Sequence, residues 1–205
     1  MTSSKRVKKG AGPAIQGPLG AVLAPGAGAG RDQPALVSLD RALSGAGLAV
    51  ERLDFPYRLA GRRAPDRPLV LIAAVEGAAR NLAARLGSGT DRLVLGGRSM
   101  GGRTCSMAVA QGLPAAGLLL VSYPLHPPGR PDRLRVDHFP ALAVPCLFVS
   151  GTRDQFGTPA ELEQAAAAIA GPVRHHWVDG GDHALRAKDE EVAQAALGWL
   201  QQLCG

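Results

Sequence analysis

Short apolar segments alternate with helix-like segments along most of this chain. The segments at residues 20–25, 91–97 and 144–151 are largely continuous apolar runs, not alternations of apolar and polar residues. Strands of this kind are buried on both faces, which is typical of parallel sheets covered by helices. The pattern predicts an α/β fold of three layers, in which helices cover both faces of a mostly parallel sheet of about six strands.

The same periodicity places the individual elements. Strands are predicted at residues 20–25, 48–55, 91–97, 115–124, 144–151 and 173–180. Helices are predicted at residues 32–47, in the second half of 63–87, and at 100–112, 159–171 and 189–203. In parallel sheets, functional groups gather at the carboxyl ends of the strands. The residues that directly follow each strand are therefore the first candidates for a functional site.

The net charge of +6 is concentrated at the start of the chain. Four basic residues and no acidic residue fall within residues 1–10, and removing those four from the total of 23 leaves 19 against 17 acidic residues. Residues 1–14 are predicted to be a basic, flexible tail, and residues 15–205 a single domain. No apolar segment follows the basic residues as in a secretion signal, and no run reaches the roughly 18 residues of a membrane span.

The cysteines and the aromatic residues exclude other classes of protein. The chain has three cysteines, at positions 105, 146 and 204, without the spacing of metal ligands. This predicts reduced thiols in the cytoplasm, with neither a disulfide scaffold nor a metal site. Aromatic residues make up only 4% of the chain and do not alternate with basic ones. A nucleic-acid partner is therefore not expected.

A serine surrounded by four glycines lies between the third predicted strand and the helix after it. Residues 97–101 read GRSMG, a G-x-S-x-G sequence in the strand-to-helix context of a nucleophile elbow. Such a turn strains the backbone of Ser99 and projects its hydroxyl above the sheet. Gly97 and Gly101 are expected because a Cβ there would collide with a neighbouring element. The alternative interpretation is an ordinary helix N-cap serine.

Two further strand ends carry the residues that could activate this serine. Asp154 follows the fifth predicted strand and His183 follows the sixth. A neutral imidazole can remove the proton of a serine hydroxyl, and a carboxylate can orient the imidazole. The sequence thus predicts Ser99 as nucleophile, His183 as base and Asp154 as orienting acid. Asp182 is an alternative acid, but adjacent residues rarely direct their side chains at each other, so Asp154 is preferred.

The glycine-rich loop after the first strand, residues 25–30, is placed to stabilise an oxyanion. Backbone N–H groups are needed where negative charge develops on a carbonyl oxygen. The residue after the nucleophile, Met100, is predicted to supply one donor, and Ala27 the other.

A competing interpretation of this loop is a dinucleotide-binding fingerprint, since Glu51 follows about 20 residues later. The third glycine of that pattern should be residue 31 or 33, and these positions hold Arg31 and Gln33. The loop therefore does not complete the fingerprint, and no nucleotide cofactor is expected.

Six segments together extend over most of residues 20–185: PGAGAG, LDFPYR, GGRSMGGR, SYPLHPPG, FVSGTRDQFG and GGDHAL. In this combination the chain resembles the small α/β-hydrolases of the dienelactone-hydrolase-like superfamily, and more narrowly the Tex30/KANL3-type α/β-hydrolase-like family. The resemblance implies an α/β-hydrolase fold without a large cap domain, with Ser99, Asp154 and His183 at the catalytic positions. Pro25 departs from the family pattern, because relatives usually carry a histidine before the glycine of the oxyanion loop.

These observations predict a serine hydrolase that cleaves an ester-type or other acyl bond of a small molecule through an acyl-enzyme intermediate, without a metal or organic cofactor. A second hypothesis is a non-catalytic interaction scaffold with the hydrolase fold, because the resemblance includes members that act within larger complexes. Arg98 and Arg103 flank the elbow and could bind an anionic acyl group or a phosphate, although Arg103 is expected to anchor a neighbouring loop. The sequence leaves the acyl group, the leaving group and the oligomeric state open.

Overall fold

The computed structural model describes residues 17–203; the predicted tail at residues 1–14 and Cys204 lie outside this range. Six strands are present: β1 (Gly20–Ala24), β2 (Ala49–Arg52), β3 (Leu93–Arg98), β4 (Gly117–Val121), β5 (Cys146–Gly151) and β6 (Val173–Val178). The helices are α1 (Pro34–Gly45), α2 (Pro56–Leu59), α3 (Pro68–Arg85), α4 (Met100–Ala110), α5 (Pro159–Ala166) and α6 (Asp189–Leu203).

The strands form one sheet in the order β2-β1-β3-β4-β5-β6, and every neighbouring pair is parallel. The chain starts at β1, goes to one side for β2, and then crosses back to β3 on the other side. The chain therefore continues from β1 and from β3 into helices on opposite faces of the sheet, α1 and α4, which opens a crevice at the carboxyl ends of these strands. This order differs from the 3-2-1-4-5-6 order of the dinucleotide-binding fold.

Successive residues of the central strands point into two separate apolar cores, which explains why these strands are apolar throughout. One core packs a sheet face against α3, α4 and α5, and the other packs the opposite face against α1 and α6. On the first face lie Val22, Leu95, Leu120 and Phe148. On the second lie Leu23, Val94, Leu119 and Val149. The predicted three-layer arrangement is present.

Most strands and helix α1 are a few residues shorter than predicted, and helices α3, α5 and α2 differ from the sequence prediction in other ways. Helix α3 begins at Pro68, earlier than expected, because proline suits a first helical turn, where the missing N–H has no partner to lose. Helix α5 ends at Ala166, earlier than expected, because Ile169 turns back into the apolar core. The single-turn helix α2 is too short for periodicity to predict. It buries Tyr57, whose hydroxyl accepts a hydrogen bond from the loop after β1.

The top of the sheet carries no large cap. Between β4 and β5, residues 122–145 contain a single 3₁₀ turn, Phe139–Ala141, as their only helical element. None of the helices in residues 17–203 combines the length and apolarity needed to cross a membrane.

Two helical glycines should respond in opposite ways to alanine. A Cβ at Gly101 would overlap the carbonyl oxygen of Ala24, whereas a Cβ at Gly77 would meet nothing within 4 Å. Gly101→Ala should lower the free energy of unfolding by about 1–3 kcal/mol or more through overpacking. Gly77→Ala should raise it by about 0.5–1 kcal/mol, because alanine loses less backbone entropy in a helix. Urea unfolding of both variants measures this, and equal midpoints would contradict the described packing of the elbow.

Candidate active site

Ser99 occupies a sharp turn between β3 and α4. Its backbone adopts φ 51° and ψ −117°, and its N–H donates to the carbonyl of Val121 at 2.8 Å. A positive φ is uncommon for a residue with a side chain and costs energy, so the surrounding structure must hold it. The hydroxyl makes no capping bond to α4. The alternative interpretation as an ordinary N-cap serine is therefore wrong for its side chain.

The turn is held by the close packing of two glycines against β1. At Gly97, with φ 149°, and at Gly101, a Cβ would overlap the carbonyl oxygen of Ala24. Glycine at both positions lets the start of α4 lie directly against the end of β1. The turn that carries Ser99 and the loop that leaves β1 are thereby brought side by side.

Ser99, His183 and Asp154 form a continuous chain of polar contacts. The Oγ of Ser99 lies 2.9 Å from Nε2 of His183, and Nδ1 of His183 lies 2.8 Å and 3.0 Å from the two carboxylate oxygens of Asp154. A carboxylate only accepts hydrogen bonds, so Nδ1 carries the proton and Nε2 is free to accept from the hydroxyl. The structure brings together the three residues that the sequence singled out.

The carboxylate of Asp154 is buried and further fixed by the backbone. Asp154 is 3% exposed, and its Oδ1 accepts the N–H of Phe156 at 2.8 Å. Asp182 has a different task, since its Oδ1 accepts the N–H groups of Ala184 and Leu185 at 2.9 and 3.1 Å. Asp182 thus stabilises the turn around His183, while Asp154 contacts the imidazole.

Two residues hold His183 in ways that the sequence did not predict. The ring of Phe156 packs against the imidazole with 4.0 Å between ring centroids. The guanidinium of Arg98 donates to the backbone carbonyl of His183 at 2.5 Å. Burial lowers the pKa of Arg98, while the charges of Asp154, Asp182 and Asp189 oppose that effect. Arg98 adjoins the nucleophile in sequence, but nothing in the sequence indicates that it reaches residue 183.

Two N–H groups of the loop after β1 are bound by side chains. The N–H of Gly26 donates to the side chain of Gln33 at 3.0 Å, and the N–H of Gly28 to the hydroxyl of Tyr57 at 2.9 Å. Between them, the N–H of Ala27 has no hydrogen-bond partner within residues 17–203.

The side chains of Gln33 and Tyr57 support the loop after β1, which begins at Pro25, the position where the sequence resemblance leads one to expect a histidine. Gln33 and Tyr57 come from separate elements, and each binds a backbone N–H of the loop. Sequence reasoning missed both: Gln33 entered only as a residue that breaks the dinucleotide fingerprint, and Tyr57 lies in a helix that was not predicted. Gly28 has φ 77°, a conformation that favours glycine.

A cavity of about 490 Å³ lies above the serine. Its walls are formed by Ala27, Arg98, Ser99, Met100, Arg103, Pro124, Arg135, Phe156 and His183. The N–H of Met100 belongs to the first turn of α4, where N–H groups have no partner within the helix. Ala27 and Met100, the two predicted oxyanion donors, thus line the same cavity as Ser99. Residues 17–203 contain no cluster of three or more side chains suited to hold a metal ion.

Comparison with known proteins identifies the fold. The model of the family described as "Alpha/beta hydrolase domain" matches residues 19–201. Epoxide hydrolase A of Mycobacterium tuberculosis is 38% identical over 63 residues, which cover 30% of this chain and only 20% of that protein.

Two solved structures are similar over most of their length. Dienelactone hydrolase from Anabaena variabilis has a TM-score of 0.69 at 21% identity, with 91% of this chain and 87% of that chain covered. Est1E from Butyrivibrio proteoclasticus has a TM-score of 0.72 at 16% identity, with 92% and 89% covered. At these identities the likeness shows the fold alone. The predicted α/β-hydrolase fold, with six parallel strands and no large cap, is confirmed.

Arg98 should stabilise the loop that carries His183. Replacing Arg98 by Met removes a hydrogen bond from a charged donor, which is worth about 1.5–3 kcal/mol. Amide hydrogen exchange in residues 181–185 should then accelerate by roughly tenfold or more. The control is Arg153→Met, because Arg153 is exposed and its side chain has no hydrogen bond or ion pair within residues 17–203. Equal exchange in the two variants would show that Arg98 does not hold the loop.

Proposed function

This chain belongs to the alpha/beta hydrolase domain family, and we propose that it is a serine hydrolase that cleaves an ester-type or other acyl bond. The single observation that carries this proposal is the contact of 2.9 Å between Ser99 Oγ and His183 Nε2, continued by the pair of His183 and the buried Asp154. A serine hydroxyl is a weak nucleophile until a base removes its proton, and this arrangement supplies that base in the required tautomer.

The first half of the reaction forms an acyl-enzyme. Nε2 of His183 takes the proton of Ser99 as Oγ bonds to the carbonyl carbon, and the carbonyl electron pair moves onto its oxygen. The N–H groups of Met100 and Ala27 stabilise this oxyanion, and one such donor is typically worth about 10²–10³ in rate. The electron pair then returns, the bond to the leaving group breaks, and the leaving oxygen receives the proton from His183. Asp154 stabilises the imidazolium that forms in between.

The second half releases the acyl group as a carboxylic acid. His183 takes a proton from a water molecule, whose oxygen bonds to the acyl carbon. The bond between that carbon and Oγ of Ser99 breaks, and Oγ recovers its proton from His183. The enzyme returns to its starting state, and one water is consumed for each ester cleaved. No step requires a metal or an organic cofactor.

The open site favours small or exposed acyl substrates. The loop at residues 122–145 has no helical domain that could enclose a long substrate, and the cavity of about 490 Å³ suits a small molecule.

The family, the domain organisation and the location are part of the same proposal. The six sequence segments quoted above support membership of the Tex30/KANL3-type family. Residues 15–205 are proposed to form a single domain. A cytoplasmic location is supported by the free, buried thiols of Cys105 and Cys146.

A fluorophosphonate probe tests the nucleophile. The folded protein should react covalently at Ser99 and should hydrolyse 4-nitrophenyl esters of short acids. Ser99→Ala should lose both properties, because no other hydroxyl lies in contact with His183 within residues 17–203. Ser88→Ala is the matched control, since the hydroxyl of this half-buried serine donates to the backbone carbonyl of the neighbouring Gly89. If the folded wild-type protein is neither labelled nor active, the alternative hypothesis of a non-catalytic scaffold is correct.

Two acidic residues next to His183 should differ in their effect on catalysis. Asp154→Asn should lower kcat by roughly a thousandfold or more, because the amide favours the wrong imidazole tautomer. Asp182→Asn should lower kcat by less than about tenfold, because an asparagine side-chain oxygen can still accept the turn's N–H groups. Steady-state kinetics with a 4-nitrophenyl ester measures both. A larger loss in the Asp182 variant would identify Asp182 as the orienting acid.

A further inference from the structure

Of the three arginines that line the cavity, Arg98 donates to the backbone carbonyl of His183 and lies near three aspartates, and the other two are Arg103 and Arg135. Arg103 and Arg135 both form part of its wall, and neither lies within 4.0 Å of a carboxylate in residues 17–203. Other arginines of the chain do form such pairs, for example Arg52 with Asp40 at 2.8 Å and Arg85 with Glu51 at 2.7 Å. The two positive charges at the cavity are thus left unbalanced.

The groups packed around Arg103 do not compensate its charge. Its Nε is buried without a hydrogen-bond partner. The phenol of Tyr123 is neutral, since burial raises its pKa, and its O–H donates to the backbone carbonyl of Arg135 at 2.7 Å. Burial and the charge of Arg103 lower the pKa of His138 to about 4, which keeps this imidazole neutral as well. Asp137, the acidic residue next to His138, is exposed.

The two arginines also repel each other. Burial and the charge of Arg103 lower the pKa of Arg135, and Arg133 acts in the same direction. Removing two like charges partly from water without a counter-charge is unfavourable for the empty protein. An anion bound between them would supply the missing charge, and a guanidinium offers paired donors that match a carboxylate.

Their position assigns the anion to one part of the substrate. The N–H groups of Met100 and Ala27 define where the carbonyl oxygen lies, and the imidazole of His183 defines where the leaving group departs. The rest of the cavity lining includes Arg103, in the first turn of α4, and Arg135, in the loop between β4 and β5. Arg103 is close to the nucleophile, since its N–H donates to the carbonyl of Ser99 at 3.0 Å. An acyl group bonded to Ser99 would occupy this same cavity.

We infer that the acyl group of the substrate carries a carboxylate, which Arg103 and Arg135 bind within the cavity above Ser99. The inference deepens the proposed function and rests on it. It takes up the substrate-binding role that the sequence left open for Arg103, beside the expected anchoring of a neighbouring loop.

A pair of esters of similar length tests the inference. The mono-4-nitrophenyl ester of glutaric acid carries a distal carboxylate, and 4-nitrophenyl butyrate does not. The quantity to measure is kcat/KM for the glutarate ester divided by kcat/KM for the butyrate ester. In Arg103→Gln and in Arg135→Gln this ratio should be about tenfold or more below its wild-type value, because each variant removes one partner of a buried charge pair. Arg103→Lys should retain part of the ratio, because it keeps the charge but loses the paired donors.

The control is Arg130→Gln, which removes an exposed arginine of the same loop that lies 3.6 Å from Asp132. This variant should keep the wild-type ratio. If Arg103→Gln and Arg135→Gln lower both rates equally and leave the ratio unchanged, the arginines are structural and the inference is wrong.

Binding without turnover separates this inference from the proposed function. Calorimetry with Ser99→Ala should show that glutarate binds more tightly than butyrate, and that adding Arg103→Gln weakens glutarate binding by about tenfold or more. Arg103-dependent glutarate binding in a protein that cleaves neither ester would support the carboxylate site and overturn the proposed function. Ser99-dependent cleavage with an unchanged ester ratio would overturn the inference alone. Tighter Arg103-dependent binding of inorganic phosphate than of glutarate would overturn the assignment to a carboxylate.

Discussion

The close packing of the β3–α4 turn against β1 is the constraint from which the rest of the site follows. Gly97 and Gly101 place backbone directly against the carbonyl of Ala24, where a single Cβ on either residue would not fit. This contact lies at the point where the chain crosses from one side of the sheet to the other. It holds Ser99 in its strained conformation and sets the loop of Ala27 beside it. A site for acyl transfer needs nucleophile and oxyanion donors in one place, and the packing supplies both.

Electrostatics divides the cavity into two regions of different character. Around the imidazole, the carboxylate of Asp154 is buried, bonded to Nδ1 of His183, and further held by a backbone N–H. Around Arg103 and Arg135 no carboxylate of residues 17–203 lies within 4.0 Å, and the neighbouring phenol and imidazole stay neutral. The charge of Asp154 thus has its partners within the protein, whereas the two arginines would receive theirs from the proposed substrate carboxylate. The region around His183 suits the proposed bond cleavage, which is the same for every substrate. The region around Arg103 and Arg135 suits the selection of one substrate over another.

The sequence predicted the parts of this structure that depend on local pattern. Continuous apolar strands and glycine-rich strand ends gave the sheet, and the residues at those ends, Ser99, Asp154 and His183, lie together as expected. The supporting contacts were not predicted, because they join residues far apart in the chain. Tyr57 reaches Gly28 from an unpredicted helix, and the side chain of Arg98 reaches the carbonyl of residue 183. No periodicity or motif signals such contacts, since they depend on how the finished elements pack.

The loop between β4 and β5 contributes Pro124 and Arg135 to the cavity but none of the three residues of the polar chain. Of the two arginines proposed to bind the substrate, Arg135 thus lies on a stretch of backbone separate from Ser99, Asp154 and His183, whereas Arg103 lies on α4. Exchanging the β4–β5 loop for one of another length or charge could redirect this scaffold to different acids while the reaction centre stays intact. The same separation offers a practical route for engineering, because loop libraries could be screened on a fixed chemical core.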